Sequence, residues 1–574
     1  MMKNVDDRIY KNRWFQLLAV LLVVVPVTVK IASPIWDIDV WWHLATGREI
    51  VHTGSFLKTD PFNSIPPSYL DPNRMFLLNG YWLAQVLFYA SHALGGPAGL
   101  ILCKVAIFLA VPLLVFSHGV RKGWDFRCTL LLMVLCGWVS TYFSAERPQI
   151  LSMLLFAMLM LLLSRIGYIG SKEDSGTVDH NLKPALLLPP LMVLWANSHP
   201  GYTLGAAVLV LYALSETTQH FIHSKPPANR TSLLKVVILI LVALAATGIN
   251  PNGFDAFLGL LKNEGSDLQS RSSEYMSPFA AWKDHGILVT PFFIYVALYL
   301  VTCGSRVKKL DPTFLLISLS LLVISFRSYR YIPFFVFGTT FGLGAALNSA
   351  VFGSSRLKRG CTILAMCSLI LLWYSSARFF PRAYASLASP VNTYRFPVAA
   401  SDFLKKEKPS GRIFNYFNWG GYLIWSLYPE HQVFIDGRSL SLKAFDEYTR
   451  VLWTPEWKDI LHRHNMNMII LSTVDDFTGE LYQVVNHIAA DPSWHLVYCD
   501  DTTFVALEGT SNQPLIAAGE LPKLMLYQQA ASKAELLLRR GMNNPAVWQT
   551  LATAYSRTGH LEKAAEARRR ASGK

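Results

Sequence analysis

The sequence predicts a polytopic α-helical membrane protein followed by an extracytoplasmic α/β domain and a short helical tail. Three observations predict it. The 574 residues are 52% hydrophobic and only 16% charged, well below the roughly 25% charged residues of soluble domains. Several apolar runs reach or approach the ~20 residues that cross a bilayer. The charge is also unevenly placed. Residues 1–376 hold 30 Lys and Arg against 19 Asp and Glu, whereas residues 377–574 hold 22 against 19. The net charge of +14 therefore belongs mainly to the membrane half. Nothing in it calls for nucleic acid as a partner.

Eleven spans are predicted, at about 14–33, 97–117, 128–144, 149–164, 185–197, 201–217, 234–249, 287–303, 312–326, 331–349 and 360–376. The fifth contains Pro189-Pro190 and is expected to kink. Basic residues orient the set. Placing the N-terminus in the cytoplasm gives each short inner segment about three Lys or Arg, as in Arg121-Lys122 with Arg127, or Arg306 with Lys308-Lys309. An odd number of spans puts everything after residue 376 outside. The first span lacks a small-residue cleavage site, and Lys30 near its outer end is placed to snorkel to water, so it reads as an anchor. Six of the seven cysteines lie in or beside spans, which leaves Cys499 without a disulfide partner in the tail.

The first outer segment, 34–96, opens Trp36-Asp37-Ile38-Asp39-Val40-Trp41-Trp42-His43. Two carboxylates at i, i+2 beside a membrane can share a divalent cation such as Mg or Mn, or one can act as general base while the other orients it. The alternative is an interfacial tryptophan belt with solvated aspartates. Residues 43–51 read as an amphipathic helix, Thr53-Gly54 and Thr59-Asp60-Pro61-Phe62 as turns, and 80–94 as a second helix. Further polar residues fall on the same outer face: Glu146-Arg147-Pro148-Gln149, Asn197-Ser198-His199-Pro200, Asn250-Pro251, Glu274, and Arg327-Ser328-Tyr329-Arg330. Ionisable groups at membrane depth are functional candidates by default. Arginine there suits phosphate, although an interface anchor or a salt bridge serves any single residue as well.

In the tail, a helix is expected at 398–407. Strands are expected at 412–415, 432–436 and 468–471, with a closing hairpin at 494–498 and 503–507. Asp436-Gly437-Arg438 would lie beyond a strand end, where it either receives an acceptor or closes a turn with an internal ion pair. The domains are therefore 1–376, 377–512 and 513–574. In the last, 523–540 and 544–564 have the large-small spacing of a single tetratricopeptide-like repeat, with Gly559 at its turn. One such repeat must dock on the α/β domain or on a protein partner.

Asp37-Ile-Asp-Val-Trp-Trp-His-Leu-Ala-Thr-Gly47, Thr59-Asp-Pro-Phe62, Tyr81-Trp-Leu-Ala-Gln85, Arg147-Pro-Gln149, Leu194-Trp-Ala-Asn-Ser-His199, Asn250-Pro251, Glu274, Arg330, Asn418-Trp-Gly-Gly421 and Val433-Phe-Ile-Asp-Gly-Arg438 follow one another in order. Together they resemble bacterial membrane proteins of the GT-C superfamily of glycosyltransferases. The resemblance implies a transferase in the cytoplasmic membrane that takes a sugar from a polyprenyl-phosphate donor at the outer face and gives it to a glycan or protein acceptor. It implies catalytic or metal-binding roles for Asp37 and Asp39. It implies donor-phosphate roles for Arg147, Arg327 and Arg330, and acceptor or auxiliary roles for His43, His199, Glu274, Asp436 and Arg438. Pro200 stands where the family more often has glycine, and Tyr275 where tryptophan is commoner, so the acceptor side departs from the pattern. A ligase or polymerase of lipid-linked glycans and a non-enzymatic scaffold presenting the helical tail are the competing readings.

Overall fold

A computed structural model describes residues 10, 12–166, 182–222, 227–255, 257, 276–352, 354–509 and 512–573. They form two compact units. The first comprises residues up to Ile35, Ile50–Phe56 and Asn79–Pro390, and the second comprises Trp36–Glu49, Leu57–Leu78 and Val391–Lys574.

The first unit is helical, and each expected span overlaps a helix. Among the described residues, however, six helical stretches are long and apolar enough to cross a membrane: Arg13–Ile31, Pro72–Arg121, Gln149–Ile166, Thr290–Lys309, Tyr329–Val351 and Ser355–Ala377. Phe126–Tyr142, Leu182–Ala196, Ser232–Ala246 and Pro312–Arg327 are apolar but shorter. The fifth expected span is broken into Leu182–Ala185 and Leu188–Ala196, with Pro189 and Pro190 opening the second piece. That is where a proline's missing N–H costs nothing. The long Trp82–Arg121 helix is likewise two helices. Gly95 and Gly96 are non-helical, and Gly96 sits at φ 59°, a conformation cheap only for glycine.

The second unit is built on a four-stranded sheet of order β1-β2-β4-β3: β1 Arg412–Asn415, β2 Met466–Leu471, β3 Trp494–Cys499 and β4 Phe504–Glu508. β1 and β2 run parallel, and β4 is antiparallel to both β2 and β3. The strand expected at 432–436 is not in this sheet. Its backbone pairs instead with the segment that follows the Asp37 motif. Val433 N–H donates to the Phe62 carbonyl (3.0 Å), and Ser64 N–H donates to the Val433 carbonyl (2.9 Å). A buried apolar run reads the same whether its partner is a strand nearby or a loop some 370 residues away in sequence.

Helices Leu524–Arg539, Pro545–Arg557 and Leu561–Ala571 close the chain, with Gly559 at φ 81° in the last turn. They pack on the sheet side of this unit. Lys533 Nζ donates to Ser472 Oγ (2.5 Å), Tyr527 Oη to Asn486 (2.9 Å), and Thr550 Oγ1 to the Gly479 carbonyl (2.8 Å).

Candidate functional site

The Asp37-x-Asp39 motif opens the Val40–Thr53 helix. Asp37 is 7% exposed. Its Oδ1 accepts the Asp39 backbone N–H at 2.8 Å, the way a cap meets the unpaired donors of a helix start. Asp39 is half-buried, and its Oδ1 accepts the indole N–H of Trp42 at 3.2 Å. Of the tryptophans around the pair, Trp41 and Trp42 are buried, whereas Trp36 is exposed with Arg395 over its ring at 5.1 Å. Trp41 meets Phe396 and Tyr422 edge-on, at 5.3 and 5.0 Å between centroids. Trp42 lies against His43 (3.5 Å). Six residues past Trp42, Arg48 stacks on Trp425 and donates to the Trp425 and Tyr428 carbonyls at 3.2 and 3.4 Å.

Against this motif sits the turn Asp436-Gly437-Arg438. The Arg438 guanidinium is gripped by two carboxylates: Nε and Nη2 reach Asp436 at 2.8 and 2.7 Å, and Nη1 and Nη2 reach Asp60 at 2.9 and 3.2 Å. All three side chains are at most 2% exposed. Phe62 and Trp42 supply ring faces at 5.3 and 5.9 Å. One cation cannot neutralise two buried anions, and the carboxyls divide accordingly. Burial alone would raise Asp436, but the Arg438 charge, its fork of hydrogen bonds and the Arg438 backbone N–H hold it below the usual carboxylate range. Burial raises Asp60, with Arg438 pulling it back only in part and Asp436 adding to the rise. Between the two charged positions, Gly437 leaves room for the motif. A Cβ there would come within 2.1 Å of Asp39 Oδ1. Gly421 performs the same service for the Ile38 carbonyl, which a Cβ would approach at 2.7 Å.

The remaining predicted residues belong to the first unit. His199 follows the Leu188–Ala196 helix. Its Nδ1 accepts the Gly201 N–H and faces Ser152 Oγ, both at 2.8 Å, while Ser152 Oγ accepts the Trp195 indole N–H at 2.7 Å. A backbone donor aimed at Nδ1 fixes the neutral tautomer with its proton on Nε2. Burial and the nearby Arg330 charge push this imidazole down to about 3. Arg330 lies in the short Tyr329–Tyr331 turn, and Arg327 is exposed at the end of Pro312–Arg327. Tyr329 packs on Tyr142 and Phe143 at 5.6 and 6.0 Å, which places the Arg330 turn beside the turn that carries Arg147. Glu146, grouped with these arginines in the sequence, is paired with Lys104, and both are 1% exposed. Glu274 lies outside the described residues.

Asp37, Asp39, His43, Asp436 and Arg438 thus belong to one unit, and Arg147, His199, Arg327 and Arg330 to the other. Sequence reasoning missed Asp60, whose only signal was its place in the Thr59-Asp60-Pro61-Phe62 run. It also missed Lys104, whose signal was a lone charge inside the expected 97–117 span, and Ser152, which carried none. No group of three or more His, Cys, Asp or Glu is arranged to hold a metal ion among the described residues. The expected Asp37–Asp39 cation site therefore gains no third ligand of these types.

No protein-family model and no curated protein matches this sequence. Solved structures do. A crystal structure of ArnT from Cupriavidus metallidurans bound to undecaprenyl phosphate matches at TM-score 0.52 and 12% identity, covering 86% of this chain and 98% of that one. The same protein in the apo state matches at 0.51, with the same identity and coverage. The chain has the ArnT fold. At 12% identity the ArnT likeness speaks for the fold, and the chemistry must be argued from the residues.

Proposed function

We propose that this protein is a membrane glycosyltransferase that moves a sugar from a polyprenyl-phosphate donor to an acceptor hydroxyl on the outer face of a bacterial cytoplasmic membrane. The N-terminus would be cytoplasmic and residues 377–574 extracytoplasmic. The observation that carries the reading is the Asp39 carboxylate, half-buried on an ArnT-like fold, held by the Trp42 indole and given room by the missing side chain of Gly437. The ArnT neighbour binds undecaprenyl phosphate, and a related carrier is the donor inferred here.

In this reading Asp39 is the general base and Asp37 the residue that orients it. Asp39 is the more accessible of the two, whereas Asp37 spends an oxygen on capping the helix. The acceptor oxygen forms a bond to the anomeric carbon as its proton passes to Asp39. The bond from that carbon to the phosphate oxygen breaks, and the lipid phosphate leaves with the electron pair. Arg147, Arg327 and Arg330 hold the leaving phosphate, whose growing charge needs fixed cations. His199, kept neutral with its proton on Nε2, donates a hydrogen bond beside Arg330. The tetratricopeptide-like end serves to brace the second unit. The test is mass spectrometry of envelope glycans and glycoproteins from cells carrying the wild-type chain, no chain, Asp39→Asn or Asp37→Asn. A glycan lost on deletion and not restored by Asp39→Asn supports transfer. A glycan profile identical in all four strains refutes it.

A further inference from the structure

The first apolar helix ends on a charge that glycosyl transfer does not use. Lys30 is predicted to snorkel to water, yet it is 4% exposed and its Nζ has no hydrogen-bond partner. What lies over it is the ring of Phe379, whose centroid is 5.9 Å from Nζ. The guanidinium carbons of Arg378 and Arg382 each lie 5.3 Å from that same centroid. Three cations therefore surround one phenyl ring, the two arginines exposed and the lysine beneath. Among the described residues none of the three has a carboxylate partner. A phenyl face returns only part of what burying an unpaired ammonium costs, and the like charge of Arg378 adds to that cost. The cluster is short of an anion with several acceptor oxygens.

Its position narrows the anion. The arginines flank the start of Phe380–Ala388, which packs on the first helix through Ser386 Oγ donating to the Ala32 carbonyl at 3.1 Å. Phe380 and Tyr384 on this short helix are exposed, as befits a segment lying among lipid headgroups where apolar helices end. A phosphate group there would face both exposed guanidinium forks, with the Lys30 ammonium behind the Phe379 ring. We propose that Lys30, Arg378 and Arg382 form a binding site for the phosphodiester headgroup of an anionic lipid, with Phe379 as its cover when empty.

The site is tested by native mass spectrometry of the detergent-purified full chain titrated with phosphatidylglycerol. Phosphatidylcholine serves as the comparison lipid and inorganic phosphate as competitor. The variants are Arg378→Gln/Arg382→Gln, which touches only exposed residues, and Lys30→Met. The wild type should retain phosphatidylglycerol in preference to phosphatidylcholine, and each variant should weaken that binding at least tenfold. Persistence of binding in millimolar phosphate assigns the site to a lipid. Displacement by phosphate, with the same loss in the variants, gives the site to a free anion and overturns the lipid assignment. Equal phosphatidylglycerol affinity in wild type and the double arginine variant overturns the site itself. None of these outcomes depends on whether the protein transfers a sugar.

Discussion

Arg438→Met isolates what the clamp contributes. The substitution keeps most of the side-chain volume and removes four charge-assisted contacts of 2.7 to 3.2 Å. It leaves Asp60 and Asp436, each at most 2% exposed, facing one another with no cation between them. Removing one partner of a buried ion pair costs about 3–5 kcal/mol because the survivor stays desolvated. Asp436→Asn should cost less, about 1.5–3 kcal/mol, since it removes the better-held charge but not the whole network. Asp60→Asn should cost least, about 0.5–1.5 kcal/mol, because it brings the cluster to charge balance while an amide oxygen still accepts. Urea unfolding of the full chain in detergent, followed by tryptophan fluorescence, ranks the three. The pH dependence carries an opposite sign at the two carboxyls. Asp60 is raised in the folded protein, so the fold binds its proton more tightly, and its contribution weakens as pH rises from its unfolded value through its folded one. Asp436 is depressed, so its contribution is complete above its unfolded value and lost as pH falls through the folded one. Relative to wild type, Asp60→Asn should therefore look better at neutral pH than in acid. An Arg438→Met variant less destabilised than Asp60→Asn would refute this account of the cluster.

Three further perturbations probe other parts of the molecule. Gly437→Ala places a methyl within 2.1 Å of Asp39 Oδ1 and forces that carboxylate to shift; since displacing a reacting group by about 1 Å costs on the order of 100-fold, glycan product should fall by that order with the unfolding midpoint little changed. His199, held near 3 by burial and Arg330, should stay neutral across pH 5–8, so its histidine NMR resonance should not titrate near 6.5. Its stabilising effect should decline as pH falls through the unfolded value near 6.5, and His199→Gln should flatten that decline. Lys104→Met strands Glu146 and should cost about 3–5 kcal/mol, whereas Lys104→Met/Glu146→Leu should recover most of it; an additive double variant in thermal denaturation would count against a buried pair.

What the sequence makes legible follows from the range of the physics involved. An apolar run long enough for a bilayer is a local property, so every expected span overlaps a helix. Among the described residues six helical stretches are long and apolar enough to cross, and four other apolar helices fall short in length. The hairpin of β3 and β4 is legible for the same reason, being two apolar runs joined by a short turn. The 432–436 run marks where local reasoning stops. Its hydrophobicity is strand-like, but its hydrogen bonds go to Phe62 and Ser64, and no pattern within either segment encodes the other. Lys30 fails in the same way, because snorkelling assumes a side chain free to reach water while Phe379 arrives from nearly 350 residues later in the chain. Asp60 is the instructive case for the site. Alone, Thr59-Asp60-Pro61-Phe62 is a turn signal, and Asp436-Gly437-Arg438 is another. Only when the backbone of 62–64 pairs with Val433 do the two turns present their charges to one guanidinium. The same pairing brings Gly437 against Asp39. The carboxylate that the motif advertises is therefore positioned by residues the motif does not contain, and the positioning is encoded in a missing side chain.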